Sequence, residues 1–320
     1  MSEYCVRLGL ISPCFCAGAN QQEAELRVPS LRGQLRWWFR VLGGSRQQEL
    51  ELFGGQGREE GEQKQRQPHA SKVRLRISDK NNSYGNAADL PANSNQALGY
   101  LLHFARVSGN DAGIKRFEKG GWLAPGSTFT LQASILRQIH DQADLALFKQ
   151  AWHCLVNLGS VGLRQTRGMG AWGLEAAPSL ADFKAGCSQH CPNLDIWYIE
   201  KDGRPAFSGS NDWRAALRNL EASLGWLRQN GYSAGQKGDN PTPLGKSGGG
   251  RQASALHLRP VKLQEGLLPL LFYTPSVLEN KEAEGSFEGF LTDMRFKTPY
   301  RQKVKDQADD NREELVLRRL

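Results

Sequence analysis

Strand-like and helix-like periodicities alternate along the first half of the chain, and their order limits the architectures open to it. Tyr4 to Ile11 alternates as a strand, and Ser12 to Glu25 follows as an open loop of glycine and polar residues. Pro29 then sets up a helix through SLRGQLRWWFRVLG, because an N–H missing from a first helical turn costs no hydrogen bond. At about 100° per residue Leu31, Leu35, Trp38 and Leu42 form one stripe, and Gly43 and Gly44 end the helix. Lys72 to Ser78 alternates Val73, Leu75 and Ile77 with basic residues, and Leu98 to Val107 and Ser127 to Leu136 read as further strands. Asp141 to Leu158 has helical spacing through Leu145, Phe148, Trp152 and Val156, and Ala171 to Leu174 looks like a short strand. Gly54 to Ser71 and Asp79 to Gln96 are polar excursions between these elements. This order predicts an α+β domain with helices packed on an antiparallel sheet, most simply a ferredoxin-like arrangement with enlarged loops.

The chain has 320 residues, enough for two cores of ordinary size. A change of character near Pro178 divides it into an N-terminal domain, 1–178, and a C-terminal domain, 179–320. The second part offers a strand at Asp195 to Ile199 and a helix at Asn211 to Leu227 with Trp213, Leu217, Leu220 and Leu224 on one face. Strands at Ala255 to Leu263 and Leu267 to Tyr273 follow a basic, glycine-rich loop, Gly235 to Gly250. The charged tail after Lys297 reads as a helix or as partly disordered. No run approaches the roughly 20 apolar residues of a membrane span, and Glu3 and Pro13 break any signal-peptide pattern. Six cysteines in so long a chain do not suggest a disulfide scaffold, so a reducing, cytoplasmic setting is expected.

Forty-one Lys plus Arg against thirty-three Asp plus Glu give a net charge of +8, which fits an anionic partner without separating RNA from DNA. The helix concentrates that charge. Arg32, Arg36 and Arg40 recur every fourth residue, Arg27 precedes them, Arg46 follows, and no acid occurs between Arg27 and Gln48. Such a row repels itself unless water or phosphate screens it, and arginine forks fit phosphate oxygens. The plainer alternative is a wet basic face with Trp38 and Phe39 filling the core. Trp37 points away from the apolar stripe, toward a base, another protein or the chain's own interior.

A second feature, GSVGLRQTRGMGAWG at 159–173, carries five glycines with Arg164 and Arg167. Here a helix precedes the glycines and a strand follows, the reverse of a dinucleotide-binding turn. Glycines such as Gly168 either bring the backbone close to a phosphate chain or simply solve left-handed turns. Gly245-Lys246-Ser247 lacks the earlier glycine of a phosphate loop, since Asn240 stands there, which leaves Lys246 and Arg251 as flexible basic contacts or as solvated charge. Neither Cys14-x-Cys16 nor Cys187 to Cys191 with His190 has a strong zinc spacing, so no metal or other cofactor is expected. His153 beside Cys154 is not a catalytic pair, and no nucleophile, base and orienter assemble. A metal-independent ribonuclease using His69, Asp79 or Asp89 is the enzyme alternative.

Two separated stretches, ISPCFCAGANQQEAELRVPSLRGQLRWWFR and GSVGLRQTRGMGAWG, resemble the RAMP superfamily of CRISPR proteins. The likeness is greatest to the first RAMP subunit of type III-B, or Cmr, RNA-targeting effector complexes, and RQASALHLRPVKL at 251–263 looks like that subunit's second domain. The resemblance implies tandem ferredoxin-like, RRM-like RAMP domains with extended loops in a non-catalytic, RNA-binding structural subunit. Its partners would be guide CRISPR RNA near the 3′ region, complementary target RNA, and the RAMP backbone and small subunits; neither a membrane nor self-association is required. The RNA-binding candidates are Arg27, Arg32, Arg36, Trp37, Arg40, Arg164, Arg167, Gly168, Lys246 and Arg251. Of these, Arg32, Arg36, Trp37 and Arg40 match the family's helix, while Arg164, Arg167 and Gly168, with Gly162 and Gly170, match its glycine loop. A protein-only assembly scaffold is the third reading.

Overall fold

The structure is a computed structural model that describes residues 3–18, 23–56, 68–85, 89–90, 98–102, 121–137, 139, 141–228, 244, 254–274, 291, 294–298 and 313–320. Lys246 and Arg251 lie outside the described residues, as does most of the loop around them.

Strand β1 (Glu3–Leu10) leads to helix α1 (Val28–Val41), helix α2 (Arg46–Phe53) and a small hairpin, β2 (Gly55–Gln56) with β3 (Pro68–His69). Strand β4 (Val73–Asn81), a helical turn α3 (Gly99–Leu102), strand β5 (Thr128–Ile135), helix α4 (Gln142–Leu158) and strand β6 (Trp172–Leu174) follow. The first sheet has the order β4-β5-β1-β6, every pair antiparallel. Its alternation sends Leu8, Leu10, Val73, Leu75, Phe129, Leu131 and Ala133 into a core with α1 and α4, while Arg74 and Arg76 stay exposed on the other face.

After helix α5 (Leu180–His190) come β7 (Asp195–Lys201), β8 (Arg204–Pro205), helix α6 (Trp213–Leu227), β9 (Leu256–Leu263), β10 (Gly266–Tyr273), β11 (Arg295–Thr298) and β12 (Glu313–Arg319). The second sheet runs β11-β12-β7-β10-β9, also antiparallel, with β8 beside β7. Both of its faces are covered. Leu268, Leu270 and Phe272 of β10 join the core shared with α1 and α4, and Leu267, Leu271 and Tyr273 join a second core with Trp213, Leu217, Leu220 and Leu224 of α6. Helices α1 and α4 thus lie between two sheets, a contact seen directly in Trp38 against Phe272 at 5.4 Å between ring centroids.

The α+β class and the antiparallel, ferredoxin-like character agree with the sequence patterns, two local expectations change, and two helices appear where the sequence analysis assigned no element. The end of the charged tail, Glu313–Arg319, forms a strand: Leu315 and Leu317 alternate inward and pair beside β7, which offers an unfilled edge. Leu98 to Val107 begins as a helical turn, because Leu98, Leu101 and Leu102 reach the second core at i, i+3, i+4 spacing. Helix α2 starts at a capping box, Ser45 accepting from the Gln48 amide while Gln48 accepts from Ser45 N–H. Helix α5 starts at Ser179, which accepts from the Asp182 amide.

Because β10 belongs to both cores, Leu270→Ala and Leu271→Ala, on opposite faces and fully buried, should each cost about 2–5 kcal/mol. Urea unfolding followed by fluorescence should show both substitutions moving one shared transition; a separate early transition in either variant would show that the two cores melt independently.

Candidate nucleic-acid interface

The arginine row of α1 is not left to solvent alone. Glu49 lies one residue beyond the acid-free run, and the Gly43-Gly44 turn and α2 fold it back under the helix. Its Oε1 accepts from Arg36 Nε at 2.5 Å and from Arg40 Nη1 at 2.6 Å, with the Glu49 side chain only 6% exposed. Burial opposes ionisation of Glu49, yet hydrogen bonds and charge from the two arginines outweigh it and hold the carboxyl below its ordinary 4.5. Arg32 donates to the carbonyl of Phe53, at the end of α2. Internal partners therefore answer part of the self-repulsion that the sequence assigned to water or phosphate. The helix remains basic outward: Arg36 and Arg40 keep 33% and 47% of their side chains exposed. Arg27 is the N-cap residue of α1 and makes no side-chain cap.

Trp37 packs within the chain, its ring centroid 4.8 Å from that of Trp38 and 5.0 Å from that of His257 on β9. It remains partly exposed. His257 in turn stacks on Phe272 at 4.6 Å and 9°, and its Nε2 lies 3.3 Å from Thr274 Oγ1. This arrangement is intramolecular, one of the three directions the sequence left open for Trp37.

The glycine stretch is a helix-to-strand loop between α4 and β6. Its amides are largely spent on the chain itself. Leu163 N–H donates to the Phe15 carbonyl (2.9 Å), Gly170 N–H to that of Pro13 (2.8 Å), and Val161 N–H to that of Gly170 (3.1 Å). The Gly168 carbonyl accepts from Ser12 Oγ at 2.6 Å. Gly170, at φ +63°, has no room for a side chain, which would run into the Val161 carbonyl. Arg164 adopts φ +61°, strained for a residue with a side chain, while Leu163 beside it is 46% exposed.

Arg167 points inward. It is 6% exposed, donates from Nη2 to the Leu244 carbonyl at 2.6 Å, and bridges to Leu258 of β9. Two residues that the candidate set lacked stand next to this bridge. His257 and Arg259 lie on one face of β9, 6% and 3% exposed, and burial together with the charges of Arg259 and Arg167 keeps the imidazole well below its usual pKa. The His-x-Arg alternation in a strand was the available signal.

Of the enzyme candidates, Asp79 is exposed and accepts from Ser78 Oγ at 2.9 Å, and the His69 side chain lies outside the described residues. Cys154 Sγ lies 2.6 Å from Cys191 Sγ, and the rings of His153 and His190 are 4.4 Å apart. Burial and His190 lower the His153 pKa to about 4. Among the described residues no group of three or more His, Cys, Asp or Glu is arranged to hold a metal ion, and no helix is long and apolar enough to cross a membrane.

A family model described as the RAMP superfamily matches residues 7–172, the stretch that holds both α1 and the glycine loop. The CRISPR system Cmr subunit Cmr1-1 of Pyrococcus furiosus is 29% identical over 163 residues, covering 50% of this chain and 44% of that protein. This chain therefore aligns with less than half the length of that relative. The crystal structure of Cmr1 from Pyrococcus furiosus in its apo form superposes with a TM-score of 0.53 at 19% identity, covering 85% of this chain and 88% of that one. A chain of the cryo-EM structure of the type III-B Cmr-beta bound to cognate target RNA gives a TM-score of 0.53 at 12% identity, covering 84% and 94%. At these identities the structural likeness is one of fold.

Two stability predictions follow from the site's geometry. Glu49→Gln should cost about 1–3 kcal/mol near neutral pH, less than a fully buried pair because both arginines keep contact with water. Since the folded Glu49 pKa is depressed, its contribution is complete above about 4.5 and disappears as pH falls through the folded value, so thermal melts of wild type and variant should converge in acid. Gly170→Ala should lower the Tm more than alanine at the open, helical Gly33, by about 1–3 kcal/mol of strain, as differential scanning calorimetry would show.

Proposed function

We propose, from a chain that belongs to the RAMP superfamily, that it is a non-catalytic RNA-binding subunit of a type III-B, Cmr-type CRISPR effector complex. In this reading it positions the 3′ region of the guide RNA and its duplex with target RNA, against neighbouring RAMP backbone and small subunits. Residues 1–178 and 179–320 form tandem ferredoxin-like, RRM-like domains. Support comes from the strand orders: in chain order the first sheet places its four strands 2-3-1-4, and β9-β10-β7-β12 repeats that pattern in the second.

The observation that carries the RNA reading is the charge left over on α1. Two guanidiniums share one carboxylate at Glu49 and still present a third to a half of their side chains outward, with Arg27, Arg32 and Arg46 adjoining. Phosphate oxygens can reach the exposed N–H groups without displacing Glu49. Arg164 and the partly exposed Trp37 extend the surface; Lys246 and Arg251 remain RNA-binding candidates on their charge alone. Arg167 and Gly168 act from beneath, by shaping the loop that carries Arg164. The similarity in fold to a chain of an RNA-bound Cmr assembly supports RNA and neighbouring subunits as partners.

Changing Arg32, Arg36 and Arg40 together would strand Glu49 and confuse binding with folding. Arg164→Gly avoids this, since glycine tolerates the positive φ. It should weaken RNA binding and reduce the slope of log K against log salt by about one phosphate contact, while the Tm holds. Photocrosslinking in the assembled complex should place RNA adducts within 32–40 or 161–170. An unchanged affinity and slope, with adducts only to protein, would instead make this surface a subunit contact, to which the exposed Leu163 is suited.

A further inference from the structure

We propose that the seam between the glycine loop and β9 is a phosphate seat, anchored by Arg259 and walled by the rings of Trp37, His257 and Phe272. Arg259 stands mid-strand and is 3% exposed. Its Nε is buried without a hydrogen-bond partner, and Nη1 reaches only the Gln165 carbonyl, at 3.4 Å. The remaining contact is the face of Phe272, 5.7 Å from the guanidinium carbon. Among the described residues no carboxylate pairs with it. A guanidinium in the interior without a counter-charge is costly, and burial alone pulls this one down to about 9. Such a group calls for an anion, and the open Nε edge of an arginine fork matches a phosphate oxygen.

The surroundings favour a phosphate carried by a nucleotide. His257, two residues away on the same face, is held neutral beside Arg259 and Arg167 and offers a flat ring, and Trp37 packs against it, tilted by 45°. Trp37 and Gln165, which touch His257 and Arg259, are only partly buried, so the seat lies just beneath the surface there. An aromatic pair next to a phosphate anchor suits a base and its own phosphate. Where the phosphate belongs to RNA, the proposal rests on the RNA-binding reading above; inorganic phosphate shares the chemistry and is tested separately.

The test compares the full chain with Arg259→Met, which keeps the bulk and removes the charge, and with Arg259→Lys, which keeps the charge and removes the fork. In chloride, Arg259→Met should melt no lower than wild type, because an uncompensated buried charge has gone. Replacing chloride by inorganic phosphate at equal ionic strength should raise the Tm of wild type beyond the general salt effect, which is all that Arg259→Met should show, with Arg259→Lys between the two. Affinity for a short single-stranded RNA should fall about tenfold to a hundredfold in Arg259→Met, the loss of hydrogen bonds to a charged group. An equal phosphate response in wild type and Arg259→Met overturns the seat. So does a wild type indifferent to phosphate whose Arg259→Met and Arg259→Lys variants both melt far lower, which would make Arg259 a purely structural tie. A phosphate response confined to wild type with identical RNA affinities upholds the seat for free phosphate and overturns its RNA source. If wild type binds no RNA while the phosphate response stands, the RNA-binding reading fails and the seat survives it.

Discussion

Burial of the second sheet on both faces is the constraint from which the rest of the arrangement follows. A strand covered on one side can alternate apolar and polar residues, but β10 cannot, and all eight of its residues are buried. Helices α1 and α4 must therefore serve two sheets at once, which is why α1 needs a wide apolar surface: Leu31, Leu35, Trp38 and Phe39 are all buried, with Trp38 against Phe272. The arginines of α1 are confined to the strip that remains. Strand β9, at the end of that sheet, has its edge met by the glycine loop, where the Leu258 amide donates to the Thr166 carbonyl at 3.1 Å. Polar side chains on its covered face, His257 and Arg259, are then only 6% and 3% exposed.

The same geometry decides how the glycine loop can work. A phosphate cradle needs backbone amides pointing at empty space. The amides of Val161, Leu163 and Gly170 instead donate to carbonyls of the loop and of the segment after β1, and this ties the loop to the first sheet while its other side covers the second. The glycines allow close approach of backbone to backbone. What the loop can offer an anion is charge on side chains, with Arg164 partly exposed and Arg167 facing in.

Much of this was legible in the sequence, and the illegible part has a common cause. The stripe at Leu31, Leu35 and Trp38 and the alternation at Val73 and Leu75 are local, because each side chain's burial follows from the period of its own element. Helices α2 and α5 also announced themselves locally, through Ser45-x-x-Gln48 and Ser179-x-x-Asp182, signals weaker than the polar composition around them. Strand β12 was obscured by its charges: in EELVLRR only Leu315 and Leu317 point inward, and pairing with β7 rather than propensity settles the conformation. At the site, the arginine row was visible but Glu49 was not part of it, since the chain reversal that brings the two together lies between them. Arg259 was hidden for the same reason. Its surroundings come from Gln165, ninety-four residues earlier, and from the neighbouring strand.

Two groups of arginines meet at this one region, and the structure treats them oppositely. On α1 a buried carboxylate accepts from two guanidiniums, and burial costs Glu49 less than the two partners return, as its depressed pKa records. On β9 a more deeply buried guanidinium has a carbonyl at long range and a ring face. Packing alone does not require the difference, since an apolar side chain of similar length would fill the Arg259 position without the desolvation penalty. A charge kept in the interior against that penalty is therefore informative about what the seam is built to receive. The α1 arginines are partly balanced by Glu49 and can add an anion at their outer N–H groups, which gives weak, salt-sensitive contact. Among the described residues the β9 arginine has no counter-charge, so an anion that reached it would gain electrostatic interaction in a poorly screened setting. On the proposed RNA-binding reading, the outer row would collect a phosphate chain, and the inner arginine would fix where one phosphate of it stops.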